Sequence, residues 1–105
     1  MKRYTATFSN GNTFTSKLTE KKLTVAWCIM HDDHILFKGF SQTREMADKQ
    51  MNVKLNNITG RSDIGSTSPV IQRRVIRYNR ENGQGSYEDY VKSEEAKYTT
   101  EMVRV

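Results

Sequence analysis

LTVAWCIMHDDHILFKGF, residues 23–40, is the stretch of this sequence that decides the fold. Two apolar runs, residues 23–30 and 35–40, are rich in the β-branched and aromatic residues that favour a half-buried strand. Between them lies the polar segment His31-Asp32-Asp33-His34, which consists of turn-forming residue types. The stretch therefore predicts an antiparallel hairpin with a four-residue connection, and we expect this hairpin to found the core.

The residues ahead of this stretch predict a second hairpin. Apolar side chains alternate with hydroxyl side chains over residues 4–9, which is the period expected of a strand with one buried face. Asn10-Gly11 follows, a pair that readily adopts the positive φ angles of a tight turn, and residues 12–18 resume the extended pattern. We therefore expect a meander of three to four antiparallel strands, whose apolar face needs a helix or a second layer to cover it.

That cover is predicted immediately afterwards, over residues 42–58. The segment lacks glycine and proline, and its apolar residues recur at the spacing of one helix face. These residues are Ala47, Met51, Leu55 and Ile58. Residues 61–68 are small and turn-forming and show no periodicity, so they predict a loop.

The C-terminal half predicts two further helices and a last strand. Pro69 opens the first helix, over residues 69–80, because proline at the first helical position loses no hydrogen bond. Asn82-Gly83-Gln84-Gly85 ends that helix, and a second helix is predicted over residues 87–97. Residues 99–105 are prone to form a strand that joins an edge of the sheet. The predicted fold class is α+β.

Composition places the chain among single, soluble domains. Its 105 residues suit one domain, with residues 1–60 as sheet plus covering helix and residues 69–105 as a helical, acidic half. No apolar run approaches the ~18 residues of a membrane span, and the start lacks a signal peptide, so we expect a cytoplasmic protein without a membrane partner. Cys28 is the only cysteine, which excludes an internal disulfide and predicts a buried structural thiol.

The sharpest functional signal is the net charge of +5, which is concentrated in patches. As a helix, residues 69–80 place Ile71, Val75 and Tyr78 on one side and arginines on the other. Like charges at this spacing repel each other unless an anionic group faces them, and guanidinium forks match phosphate and carboxylate oxygens. This face is the predicted binding site. Its residues are Arg73, Arg74, Arg77 and Arg80, with Lys21 and Lys22 as an extension if the fold brings them near.

Three interpretations of this arginine cluster stay open at the level of sequence. Acidic residues lie just downstream across a glycine turn, and they are placed to pair with the arginines within one chain or in a homodimer. They are Glu88, Asp89, Glu94 and Glu95. The other two interpretations are binding of nucleic acid and binding of an acidic protein surface.

No residue pattern predicts catalysis, a cofactor or a metal. His31-Asp32-Asp33-His34 contains metal-ligand types, but a turn rarely points four consecutive side chains at one ion, so we interpret it as a plain turn. The sequence has no glycine-rich phosphate loop, nucleophile elbow or paired carboxylates. Tyr87, Tyr90 and Tyr98 lie at helical spacing and are interpreted as core and rim rather than as a base-stacking platform. We expect a non-enzymatic protein without a cofactor.

Residues 35–55 carry a resemblance to a known family. The residues concerned are ILFKGFS (35–41), Arg44, Ala47 and Lys49. Together they resemble the strand-to-helix half of a double-stranded-RNA-binding domain, which implies contact with RNA. Glu45 and Asp48 occupy the helix surface on which that family presents lysines.

A second resemblance spans residues 4–50. Its residues are Tyr4-Thr5-Ala6-Thr7-Phe8, Asn10-Gly11, Ala26-Trp27 and Gly39-Phe40-Ser41 ahead of an alanine-containing helix. They resemble, in general style, small phage-encoded accessory proteins, many of which bind and disable host machinery. This resemblance implies an inhibitor, in the host cytoplasm, that docks on a host protein or ribonucleoprotein complex engaged in nucleic-acid handling or defence. Direct binding of RNA or DNA is the alternative.

Overall fold

A computed structural model of the protein describes residues 1–83 and 85–105. The described residues form an α+β fold with antiparallel strands, as the sequence predicts. In chain order the elements are β1 (Thr5–Thr7), β2 (Thr13–Thr15), β3 (Val25–His31), β4 (His34–Ser41), α1 (Arg44–Thr59), α2 (Arg61–Ile64), α3 (Pro69–Asn82), α4 (Ser86–Glu95) and β5 (Thr99–Arg104).

The central hairpin forms as predicted and belongs to a three-stranded sheet of order β4-β3-β5. β3 pairs antiparallel with β4 on one side and with β5, the predicted last strand, on the other. The connection is shorter than the four residues predicted, because only Asp32 and Asp33 separate the strands, at φ angles of 49° and 64°. Both angles lie in the left-handed region that a two-residue hairpin turn needs and that aspartate tolerates better than most residues.

The N-terminal hairpin also forms, but as a separate two-stranded sheet. β1 and β2 pair antiparallel with each other, and the polar residues 19–22 interrupt the chain before β3. Ala6 and Phe8 are 3% exposed and pack into one cluster with side chains of a single face of β3. Those side chains are Ala26, Cys28 and Met30. The hairpin thus acts as a layer over the central sheet rather than as a continuation of it.

The opposite face of β3 is covered by the start of α1. Trp27 is 4% exposed and donates from its indole Nε1 to Oε1 of Gln50 on α1, at 3.1 Å. Gly39 lies directly opposite Trp27 in the register of β3 and β4. A Cβ at Gly39 would lie 2.7 Å from Trp27 Nε1, so only glycine leaves room for the indole here.

The predicted covering helix is α1, which spans residues 44–59 rather than 42–58. It begins after Thr43, whose Oγ1 accepts from the amide of Met46 at 3.2 Å and so satisfies a free N–H of the first turn. Ala47 and Met51, two members of the predicted apolar stripe, are 0% and 6% exposed. The stripe therefore faces the interior, as its spacing requires.

Cys28 is fully buried within β3, as predicted for a structural thiol. Burial, together with the negative charge of Glu101, raises the pKa of the Cys28 thiol to about 11. The nucleophilic thiolate is therefore a minor form at neutral pH, and Cys28 acts as a small packing residue.

The chain divides into two compact units. The sheet unit comprises Met1–Asn52 and Tyr98–Val105, and the helical unit comprises Val53–Lys97. The sequence groups β5 with residues 69–105, whereas β5 belongs to the sheet unit because it pairs with β3. The prediction of a single domain stays a prediction.

In the helical unit the predicted helices form with shifted ends. α3 ends at Asn82 rather than at residue 80, and α4 spans residues 86–95 rather than 87–97. Residues 61–64, predicted as loop, form the short helix α2, because Gly60 takes a φ of 83° and its carbonyl accepts from the amide of Asp63. The predicted terminator of α3 includes Gln84, which lies outside the described residues.

Candidate binding surface on α3

The predicted arginine cluster is presented by one helix. Arg73, Arg74, Arg77 and Arg80 are all exposed on α3 and are called the arginine face below. The opposite side of α3 carries the predicted apolar stripe, which is half-buried. Its residues are Ile71, Val75 and Tyr78. The sequence prediction of a helix that separates the arginines from Ile71, Val75 and Tyr78 is therefore confirmed.

The start of α3 is fixed by local hydrogen bonds. Ser68 precedes Pro69 with an extended backbone, and its carbonyl accepts from the amide of Gln72 at 3.0 Å. The Gln72 side chain reaches back and donates to the carbonyl of Ser66 at 2.8 Å. These bonds tie the first turn to the preceding loop, so the arginines that follow are held on a regular helix.

The arginine face has no anionic partner in the described part of the chain. No side-chain hydrogen bond or ion pair involves Arg73, Arg77 or Arg80 within residues 1–83 and 85–105. Arg73 and Arg77 are one turn apart, about 6 Å along the helix axis. Such like charges are mutually repulsive, so the helix carries a cost that a bound anion would remove.

Three of the four predicted acidic residues downstream are engaged elsewhere, and Asp89 has no ion pair among the described residues. Glu88 lies 3.8 Å from Lys92, and Glu94 lies 2.9 Å from the ammonium of Lys97. Glu95 pairs with the guanidinium of Arg61. Among the described residues, no carboxylate of the same chain forms an ion pair with the arginine face. Neutralisation by a second copy stays a prediction.

Apolar side chains accompany the arginines on the exposed side of α3. Val70 is 66% exposed and Ile76 is 56% exposed. A shallow depression of about 270 Å³ is lined by Val70 together with Arg73, Arg74 and Arg77. The surface therefore offers a concave place where an aliphatic group and guanidinium groups meet. Val70 and Ile76 are absent from the predicted site, although both fall outside the half-buried stripe on the same helical projection.

Arg74 differs from the other arginines because it acts on a buried tyrosine. Tyr87 donates from its hydroxyl to the carbonyl of Gly60 at 3.1 Å and to Oδ2 of Asp63 at 3.0 Å. Burial and the Asp63 carboxylate raise the pKa of Tyr87 to about 12, and the positive charge of Arg74 opposes that rise. Arg74 therefore lies on the side of the arginine face nearest the interior of the helical unit.

The tyrosines of α3 and α4 form a ring cluster. The ring centroids of Tyr78, Tyr87 and Tyr90 are 5.4 to 6.0 Å apart. Tyr87 is buried and Tyr90 is 42% exposed, in agreement with the interpretation as core and rim. Tyr98, which the spacing grouped with them, belongs to the sheet unit, and its ring lies 5.7 Å from that of His31.

Lys21 and Lys22 belong to the sheet unit, whereas the arginine face belongs to the helical unit. Both lysines are exposed between β2 and β3. The Lys21 backbone is fixed by its amide, which donates to Thr19 Oγ1 at 3.1 Å, and by its carbonyl, which accepts from the Tyr4 hydroxyl at 3.4 Å. Their role as an extension of the arginine face stays a prediction.

The charged turn between β3 and β4 does not assemble a metal centre from the described residues. The closest approach there is 3.6 Å between His31 Nδ1 and Asp32 Oδ2. No group of three or more histidine, cysteine, aspartate or glutamate side chains is arranged to hold an ion among the residues described.

A comparison of the chain with protein-family models, curated proteins and solved structures found no match. No helix within the described ranges combines the length and the apolar character needed to cross a membrane. The arginine face is therefore interpreted from its own chemistry.

Proposed function

We propose that this protein is a non-enzymatic binding protein whose arginine face docks on an acidic surface of a protein or ribonucleoprotein partner. The observation that carries the proposal is that Arg73, Arg77 and Arg80 project from one helix without an anionic partner among the described residues. Arginine suits this role because its planar fork binds carboxylates in a bidentate manner.

The exposed apolar side chains favour a protein partner over bare nucleic acid. Protein interfaces combine arginine with aliphatic contacts, whereas a phosphate backbone gains little from Val70 or Ile76. The resemblance of residues 4–50 to small phage-encoded accessory proteins supports a host complex that handles nucleic acid, or a host defence complex, as the partner. In that setting the protein acts as an inhibitor by occupying a surface.

Direct binding of RNA or DNA is the second candidate function. It is favoured by four exposed arginines on one helix and by the net charge of +5. Such binding is dominated by release of counterions, so its affinity falls steeply as the salt concentration rises.

Affinity capture from a lysate of the host, before and after nuclease treatment, tests the main proposal. We expect a protein partner that survives nuclease treatment and is lost with the double variant Arg73→Glu/Arg77→Glu. Arg3→Glu/Lys49→Glu is the matched control, because it changes the charge by the same amount at two exposed residues of the sheet unit. Loss of every partner after nuclease would contradict protein docking, and unchanged circular dichroism verifies that the variants fold.

Ile76→Ser separates the two candidate functions on the same helix. If the arginine face docks on protein, removal of this exposed side chain is expected to weaken capture by about tenfold. If it binds nucleic acid, the variant should bind mixed-sequence RNA and DNA as well as the unmodified protein does in electrophoretic mobility shifts at low salt. Absence of any shift for the unmodified protein would remove the second candidate.

A further inference from the structure

β5 is an edge strand of the sheet unit, with β3 as its partner on one side only. The amide of Val105 donates to the carbonyl of Thr24 at 3.0 Å, which fixes residue 105 as a position that bonds inward. Backbone groups of alternate residues in an antiparallel pair point to opposite sides of the strand, so those of Thr100, Met102 and Arg104 point outward. Within the described residues these outward groups have no backbone partner.

The edge lacks proline and bulges, two of the features that block pairing with another strand, and its charged residues are Glu101 and Arg104. β5 runs in unbroken register with β3 and contains no proline. Natural edge strands are commonly guarded by proline, bulges or lysine, because a row of free N–H and C=O groups recruits another strand. An unguarded edge of six residues is therefore a candidate interface.

A groove follows this edge. Three cavities, of about 490, 200 and 360 Å³, are all lined by Arg44 of α1 and Met102 of β5. One of them reaches Arg104 and another reaches Thr100 and Met51, so together they extend along β5. The first turns of α1 form the wall of the groove, and the outward edge of β5 borders it.

We propose that β5 pairs with β5 of a second copy of this chain, antiparallel and about a two-fold axis through Met102. This register sets Met102 opposite Met102 and Thr100 opposite Arg104, so that every outward backbone group of the edge gains a partner. The two three-stranded sheets become one continuous sheet, with a self-complementary interface as a two-fold axis requires.

The charges along the groove fit this arrangement. Arg44, Glu45 and Asp48 line the same cavity, and Arg44 and Asp48 are four residues apart on α1. A two-fold axis turns the groove end over end, so Arg44 of one copy faces Asp48 of the other, and the contact occurs twice. At the Arg44 and Asp48 positions the groove therefore complements itself electrostatically, which a strand of an unrelated protein would have to match by chance. This dimer does not rest on the function proposed for the arginine face.

Sedimentation equilibrium of the full chain, with charge-swap variants, tests the dimer. Arg44→Glu and Asp48→Lys each place like charges at both symmetry-related contacts, and we expect each to raise the dimer dissociation constant about tenfold. An equimolar mixture of the two variants restores opposite charges at both contacts, so it is expected to form a one-to-one heterodimer close to the unmodified affinity. Lys49→Glu is the matched control, because this exposed residue of α1 does not line the groove.

Two results would overturn the proposal. The first is an unmodified protein that stays monomeric up to millimolar concentration. In that case β5 does not pair with a second copy, and only a strand of another protein could occupy this edge. The second is a dimer that Arg44→Glu, Asp48→Lys and the edge variant Met102→Lys all leave intact, because its interface then lies elsewhere. Circular dichroism of each variant verifies that the sheet unit still folds.

Discussion

The sheet unit and the helical unit are held together in different ways. In the sheet unit, β1, β3, β4 and α1 all contribute side chains that are at most 6% exposed. In the helical unit, the buried residues within its described part are Thr59, Tyr87 and Val91. α2 and α3 have no buried residue at all. The helical unit therefore depends on half-buried contacts and on the hydrogen bonds of Tyr87.

This difference indicates where stability and binding are located. Burial of apolar area is the main stabilising contribution to folding, so we expect the sheet unit to be the more stable of the two. The arginine face lies on α3, in the unit with the smaller core. Surfaces that bind partners are commonly drawn from the less stable parts of a molecule. Two signals distinguish the units, because Trp27, the single tryptophan, lies in the sheet unit, whereas most helical residues lie in the helical unit, which holds α2, α3, α4 and the part of α1 from Val53 onward.

Truncation of Ile29 gives the largest expected effect. Ile29 is 0% exposed, and Ile29→Ala removes buried methyl groups and leaves a cavity, at a cost of about 3 kcal/mol in the free energy of unfolding. The measurement is urea unfolding followed by Trp27 fluorescence. Ile76→Ala, at a residue that is 56% exposed, is the control and should change that free energy by less than about 0.5 kcal/mol. Similar costs for both variants would contradict the comparison.

High pH should destabilise the sheet unit through Cys28. Its pKa is raised to about 11 in the folded protein, from an ordinary value of 9.0, so folding favours the protonated thiol. This contribution is fully present below pH 9, is lost as the pH rises through 11, and amounts to about 2.7 kcal/mol at most. The measurement is the difference in thermal unfolding between the unmodified protein and Cys28→Ala from pH 8 to 11. A constant difference across that range would show that burial does not hold the thiol protonated.

Removal of the Tyr87 hydroxyl is expected to weaken the helical unit alone. Tyr87→Phe keeps the ring but removes the hydroxyl donor of the Asp63 carboxylate and one of the two donors of the Gly60 carbonyl, at a cost of about 1.5 kcal/mol. Amide hydrogen exchange should accelerate in α2 to α4 and stay unchanged in β3. Tyr90→Phe is the matched control, because Tyr90 is 42% exposed and its hydroxyl takes part in no hydrogen bond among the described residues. Equal acceleration in β3 would mean that the two units unfold together.

The same contrast explains what the sequence could predict. Residues 23–58 contain strong periodic signals, because a strand or helix with one buried face must repeat its apolar residues. The central hairpin and α1 were predictable for that reason. α3 was predictable by the same argument, since only a helix separates Ile71, Val75 and Tyr78 from the arginines.

The pairing of the strands was harder to predict from the sequence. A period of two shows which side chains are buried but not which strands are neighbours. The pattern around Ala6 and Phe8 therefore fitted a continuous meander as well as the separate hairpin that the structure has. The two-residue turn at Asp32-Asp33 depends on positive φ angles, which aspartate adopts less often than glycine or asparagine.

Part of the site could have been identified from local spacing. Glu88 and Lys92 lie four residues apart and Glu94 and Lys97 three apart, which are the separations at which helix side chains meet. These pairs indicate that the acids of α4 have nearer partners than the arginine face. The pairing of Arg61 with Glu95 joins distant residues, so no local pattern reveals it.

The smallest expected effect concerns the arginine face itself. Arg77 has arginines at three neighbouring helix positions, residues 73, 74 and 80, against one acid, Glu81, with which it forms no ion pair among the described residues. Arg77→Gln keeps the helix propensity and removes these repulsions, so it should stabilise the helical unit by about 0.5 kcal/mol at low salt. The gain should vanish in ~1 M salt, where screening shortens the range of the repulsion to about 3 Å. Thermal unfolding followed by helical circular dichroism measures this gain in stability, with Lys49→Gln in the sheet unit as control.

A surface kept for binding is expected to gain stability when its charge is removed, whereas a helix that needs its arginines for structure would lose stability. Destabilisation by Arg77→Gln would therefore remove the support for the proposed binding surface.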